Sequence, residues 1–110
     1  MTRTIKRKSS LYVRELSTKY KALVTLHTGT VSESIVHPRE VFGAAILGNC
    51  SGIIIAHNHP SGTLTPSRQD LETTMRPVDA GKIIGIPIID HIIIGFNSAN
   101  YYSLKEEGHI

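Results

Sequence analysis

The chain has 110 residues, 40% of them hydrophobic and 19% charged, the composition of an ordinary globular protein with one core. Its formal net charge is +3, and its single cysteine, Cys50, argues against a disulfide framework. Apolar segments such as 88–94, broken by Asp90 and His91, are too short to cross a bilayer, and the basic, polar start is not expected to act as a secretory leader.

A single cytoplasmic domain over residues 1–110, with no membrane partner, is therefore expected. Arg3, Lys6, Arg7 and Lys8 make the start strongly basic. Residues 1–10 read as a solvated, poorly ordered end rather than a nucleic-acid-facing arm, because no aromatic residues interleave the cations.

In chain order, Leu11–Val13 and Leu23–His27 are short apolar segments separated by the polar Ser17-Thr18-Lys19, a pattern that predicts a hairpin. Ser34–Val36 is compatible with an extended segment. His37-Pro38 then opens a helix that runs to about Leu47, with Val41, Phe42, Ala45 and Ile46 on one face and Gly48-Asn49 closing it. The β-branched run from Gly52 to Asn58 has the character of a central strand buried on both faces. A turn-rich loop from His59 to Pro66 leads to a helix starting at Ser67, with Leu71, Thr74, Met75 and Val78 on one side. Pro77 predicts a kink or break in that helix, and Gly81 or Gly85 its end. Ile86–Ile94 reads as a second buried strand with Pro87 at its start, and Tyr101–Leu104 as a last edge strand.

The chemistry lies between the central strand and the helix after it. Side chains alternate along a strand, so His57 and His59 project from one face and Asn58 from the other. A strand–loop–helix connection brings the first turn of the next helix, which carries Asp70, back over the strand's end. Two neutral imidazoles and a carboxylate are a donor set that suits zinc and leaves a fourth position open. Each part has a plainer reading by itself. A His-X-His pair occurs by chance, and Ser67-X-X-Asp70 has the spacing of a helix capping box.

The ordered string His57-X-His59, seven residues, Ser67, two residues, Asp70 resembles the signature of the JAMM/MPN metallopeptidases. The wider text is similar to the RadC subfamily over roughly Gly29 to Gly108: the stretch from Val36 to Phe42, His57-Asn58-His59-Pro60-Ser61-Gly62, the stretch from Thr65 to Asp70, Ala80-Gly81-Lys82, and the stretch from Asp90 to Gly95. The resemblance implies a three-layer α/β fold with a mixed central sheet of the JAMM/MPN, cytidine deaminase-like type. It implies one zinc ion per chain on His57, His59 and Asp70, with Ser67 stabilising an oxyanion. It also implies hydrolysis of an amide bond in a protein or peptide substrate. The family's name in DNA repair suggests nucleic acid as another partner, although no base-reading chemistry supports it.

One element of the family pattern is missing. The position of the general-base glutamate, taken from a register that treats the N-terminal segment as a strand, falls near Ser9, and no glutamate precedes Glu15. A hydroxyl is a poor base. Glu15 could serve only if that strand shifts register, while Glu33 and Glu40 read as surface or helix-start charges. A metal-binding module with little or no turnover is the alternative function. Asp90 and His91 alternate faces and are expected to make structural hydrogen bonds, and His37 to start a helix. Oligomeric state has no signature in the sequence.

Overall fold

The computed structural model describes residues 9–28, 37–59, 63–95 and 100–110. The basic residues 1–8, the segment Ser34–Val36, Glu33 and the turn residues 60–62 lie outside these. The element order is α1 (Ser9–Tyr20), β1 (Ala22–Thr28), α2 (Pro38–Leu47), β2 (Gly52–His59), α3 (Arg68–Ile84), β3 (Ile88–Gly95) and β4 (Tyr101–Ser103). Four strands form one sheet in the order β1-β2-β3-β4. The first two pairings are parallel and the last antiparallel, so the sheet is mixed as expected. Parallel neighbours need a crossover, and α2 and α3 supply the two that are required.

The helices lie in separate layers. Val41, Phe42 and Ala45 of α2 close over Ile53 and Ile55 on one face of the sheet, with Ala80 of α3 beside them. Tyr12 of α1 meets Ile54, Ile89, Ile92 and Tyr101 on the other face, joined by Val13, Leu16 and Tyr20. The four central residues of β2, Ile53 to Ala56, are therefore buried from both sides.

The N-terminal segment departs from expectation. Residues 9–20 form a helix rather than the first arm of a hairpin. Tyr12, Val13, Leu16 and Tyr20 recur at helical spacing and face the sheet, and burying that stripe outweighs the local strand character of Leu11-Tyr12-Val13. The strand register that placed a missing base near Ser9 has no counterpart here. Glu15 sits exposed on α1, in the layer across the sheet from α2 and α3.

Pro77 breaks nothing. Helix α3 is continuous over 17 residues, with Pro77 buried against its surroundings. Losing one backbone hydrogen bond is tolerated where the ring itself packs. The helix ends at Gly85, whose φ of 89° is open to glycine at no steric cost. His37 caps α2, its Nδ1 accepting the Arg39 N–H at 3.2 Å, and Pro38 follows at the first helical position.

One irregularity sets which side chains reach the site. Ile53 pairs with Ile88, but Ile54 pairs with Asp90, so β3 carries one extra residue at Ile89. Such a bulge shifts the alternation of everything beyond it. Both Ile88 and Ile89 are accommodated, Ile88 toward α2 and Ile89 toward α1. Past the bulge, His91 shares a face with Ile55 and His57, and Asp90 lies on the face of α1.

Candidate metal centre

His57 and His59 stand at the C-terminal end of β2, on the face covered by α3. Strand alternation puts their rings side by side, with centroids 4.5 Å apart and planes at 70°. The first turn of α3 lies over this end and brings Asp70 to them. His59 Nε2 is 3.2 Å from Asp70 Oδ2, and His57 Nε2 is 3.8 Å from Asp70 Oδ1. One donor atom from each of the three residues lies within 4.8 Å of the other two, close enough to hold one metal ion.

The hydrogen bonds around the rings define which nitrogens face inward. His59 Nδ1 meets the backbone carbonyl of Thr63 at 2.6 Å, and a carbonyl only accepts, so the proton sits on Nδ1 and the Nε2 lone pair is turned to Asp70. His57 is fully buried and its Nδ1 lies 2.8 Å from His91 Nε2. His91 Nδ1 in turn is 2.6 Å from Thr74 Oγ1, whose hydroxyl donates to the carbonyl of Asp70. The sequence placed Thr74 on an apolar helix face and gave His91 no partner. Their proximity to His57 depends on the bulge at Ile89 and on the pitch of α3, and neither is visible in residue spacing.

Asp70 does two things at once. It closes a capping box with Ser67: Ser67 Oγ accepts the Asp70 N–H at 3.0 Å, and Asp70 Oδ2 accepts the Ser67 N–H at 2.9 Å. The plainer reading of Ser67-X-X-Asp70 is thus realised, and it does not compete with a role at the cluster, because the carboxylate spans both. Burial works to raise the carboxyl's pKa, but the backbone and side-chain hydrogen bonds of Ser67, with His57 and His59 nearby, outweigh it and lower the pKa. The carboxylate is the stable form.

Asp70 Oδ1 is buried and has no hydrogen-bond partner among the described residues. A buried carboxylate oxygen in that condition is costly unless a cation meets it. Two inward imidazole nitrogens and this oxygen form a donor set that fits a divalent transition metal such as zinc. Ser67 is exposed at the helix start and is not a member of the cluster.

Across the sheet, Asp90 anchors a different set of contacts. It accepts from Tyr12 Oη at 2.8 Å, from Ser103 Oγ, from the Lys105 N–H at 3.1 Å and from the N–H of His91 at 2.7 Å. The expectation that Asp90 and His91 face opposite ways and make structural hydrogen bonds holds for both.

The model of the RadC-like JAB domain matches residues 7–109. The chain belongs to the RadC-like JAB domain family. Among relatives of this RadC-like chain are UPF0758 proteins of Caldanaerobacter subterraneus, 54% identical over 83% of the chain, and of Bacillus cereus, 53% identical over 86%. A UPF0758 protein of Staphylococcus haemolyticus is 52% identical over 77% of it. These matches cover 38%, 42% and 36% of the relatives themselves, so the RadC-like chain spans well under half of their length. Among the described residues no helix is long and apolar enough to cross a membrane.

Proposed function

We propose that the chain is a zinc-dependent hydrolase of amide bonds, acting on a protein or peptide, with His57, His59 and Asp70 as the metal ligands. The observation that carries this reading is the convergence of His57 Nε2, His59 Nε2 and the Asp70 carboxylate within 4.8 Å on a chain of the JAB family. Zinc, when bound, supplies Lewis acidity and a nucleophilic water near neutral pH.

The chain's own residues have separable tasks. The two imidazoles present lone pairs because Thr63 and His91 take up their other nitrogens. Asp70 adds one negative charge and, through its bond to the Ser67 N–H, ties the ligand set to the start of α3. The Ser67 hydroxyl accepts from Asp70 with its oxygen, which leaves its proton to donate to oxygen charge developing on a substrate carbonyl.

A metal-binding module with little turnover is the second reading. It is favoured by the make-up of the described cluster, which holds Asp70 as its only carboxylate and so offers no separate general base.

Metal analysis of the purified protein tests the first step. Close to one zinc per chain is expected, and replacing His57 or Asp70 with alanine should abolish stoichiometric metal. Equal zinc content in His57→Ala and the parent would overturn the assignment. Cleavage of peptide and isopeptide-linked substrates by the zinc-loaded protein then separates a hydrolase from a binding module.

A further inference from the structure

Resting on the metal reading above, we infer that Thr74 and His91 are positioning residues: together they fix His57 in its Nδ1–H tautomer and so keep its Nε2 lone pair directed at the metal position. Three short contacts link these side chains, and each holds one proton. The carbonyl of Asp70 can only accept, so the 2.6 Å contact with Thr74 Oγ1 commits the single hydroxyl proton of Thr74 to it. Thr74 Oγ1 can then only accept at its second contact, and His91 Nδ1, 2.6 Å away, must carry a proton. A neutral His91 holds its lone pair on Nε2. The 2.8 Å contact between that atom and His57 Nδ1 needs one proton, and His57 must provide it.

Both rings and Thr74 are at most 1% exposed, so water cannot substitute for any member, and an extra proton on either ring would be a buried charge facing the other imidazole. The two metal-facing histidines therefore differ in kind. His59 is oriented by a backbone carbonyl, which no substitution removes. His57 is oriented by a side chain on the neighbouring strand, held in turn by a side chain of α3. Because Thr74 grips the carbonyl of Asp70 itself, the chain of contacts starts and ends on candidate ligands.

The tautomer can be read in the metal-free protein. Long-range ¹H–¹⁵N correlation spectra of ¹⁵N-histidine-labelled protein at neutral pH should show His57 and His91 protonated at Nδ1 only, with His57→Ala used to assign the signals. A His57 ring protonated at Nε2, or a doubly protonated His91, overturns the inference. Competition against a chromophoric chelator then measures zinc affinity. His91→Phe should weaken it about 10- to 100-fold. His91→Gln, which can accept with its carbonyl and donate with its amide, should stay close to the parent, and Thr74→Ser should match it while Thr74→Val follows His91→Phe.

A purely structural role would lower thermal stability in His91→Phe and Thr74→Val but leave the zinc affinity of the folded fraction unchanged, and that result also overturns the inference. Should His91→Phe fail to fold, Thr74→Val and the parent's tautomer spectrum still decide. Absence of zinc binding by the parent refutes the metal reading, whereas the spectrum judges the tautomer independently.

Discussion

Ser67 and Asp70 satisfy each other's backbone, and the carboxylate oxygen that holds the Ser67 N–H is the one 3.2 Å from His59 Nε2. The start of α3 and the candidate metal ligand are thus one unit. In Ser67→Ala the bond from the backbone N–H of residue 67 to Asp70 survives and only the hydroxyl is lost. Stability should fall by about 1 kcal/mol with zinc content intact. If the hydroxyl also donates to an oxyanion, turnover of a peptide substrate should fall by roughly 10²-fold. Melting, metal content and rate, measured on one preparation, distinguish a cap from a cap that also catalyses.

Tyr12 ties α1 to the buried Asp90. Tyr12→Phe leaves that carboxylate one donor short and should cost about 1–3 kcal/mol at neutral pH. Burial, the largest influence, holds the phenol's pKa above its ordinary value of 10. A folded-state pKa above the unfolded one means stability that is complete below pH 10 and is lost as pH rises beyond it. Each pH unit there removes up to about 1.4 kcal/mol. The stability gap between parent and Tyr12→Phe should therefore shrink above pH 10, as denaturant titrations at pH 8 and pH 11 would reveal. A constant gap would contradict the role given to the phenol.

Two helical glycines should respond oppositely to alanine. A Cβ at Gly43 meets nothing within 4 Å among the described residues, so Gly43→Ala should stabilise α2 by about 0.5–1 kcal/mol. A Cβ at Gly81 would come 2.6 Å from the backbone oxygen of Ile86 and 3.3 Å from Pro87 Cα. Backbone cannot step aside as a side-chain tip can, and Gly81→Ala should cost roughly 1–3 kcal/mol. Thermal unfolding of both variants checks the contrast.

Glu15 belongs to α1, on the face of the sheet opposite His57. Zinc content and any peptide hydrolysis should survive Glu15→Gln, since a residue in the far layer cannot take a proton at the cluster. A general base is worth about 10²- to 10⁴-fold in rate. A loss of that size in Glu15→Gln would refute the placement.

Much of the architecture could be read from residue order because burial on two faces leaves a plain trace. The unbroken isoleucine run of β2, the cap at His37-Pro38 and the glycine at position 85 each correspond to a local physical demand. The spacing of His57, His59 and Asp70 was equally legible, since a strand and the first turn of the following helix have few ways to meet. Residues 9–20 were harder. Three apolar residues in a row suit strand and helix alike, and only the longer interval from Tyr12 through Leu16 to Tyr20 marks the helical stripe. The break that Pro77 allowed for does not occur: α3 runs through it, and the ring is buried. The partners of His57 could not be read at all, because they depend on pairing between strands rather than on order along one.

The bulge at Ile89 makes β3 a place where pairing matters more than identity. Were the same residues paired without the bulge, Asp90 would stand opposite Ile55, on the face of the histidines, and His91 would turn toward Tyr12. A one-residue slip that straightens the strand at full length would exchange an acid and an imidazole between two interiors. A chain could then retain every ligand of the cluster and the Asp-His pair itself, yet set a carboxylate beside His57 in place of its hydrogen-bonding partner. For relatives of this chain, the pairing that sets the His91 position opposite Ile55 is thus a sharper sign of a working histidine pair than the presence of His91 alone.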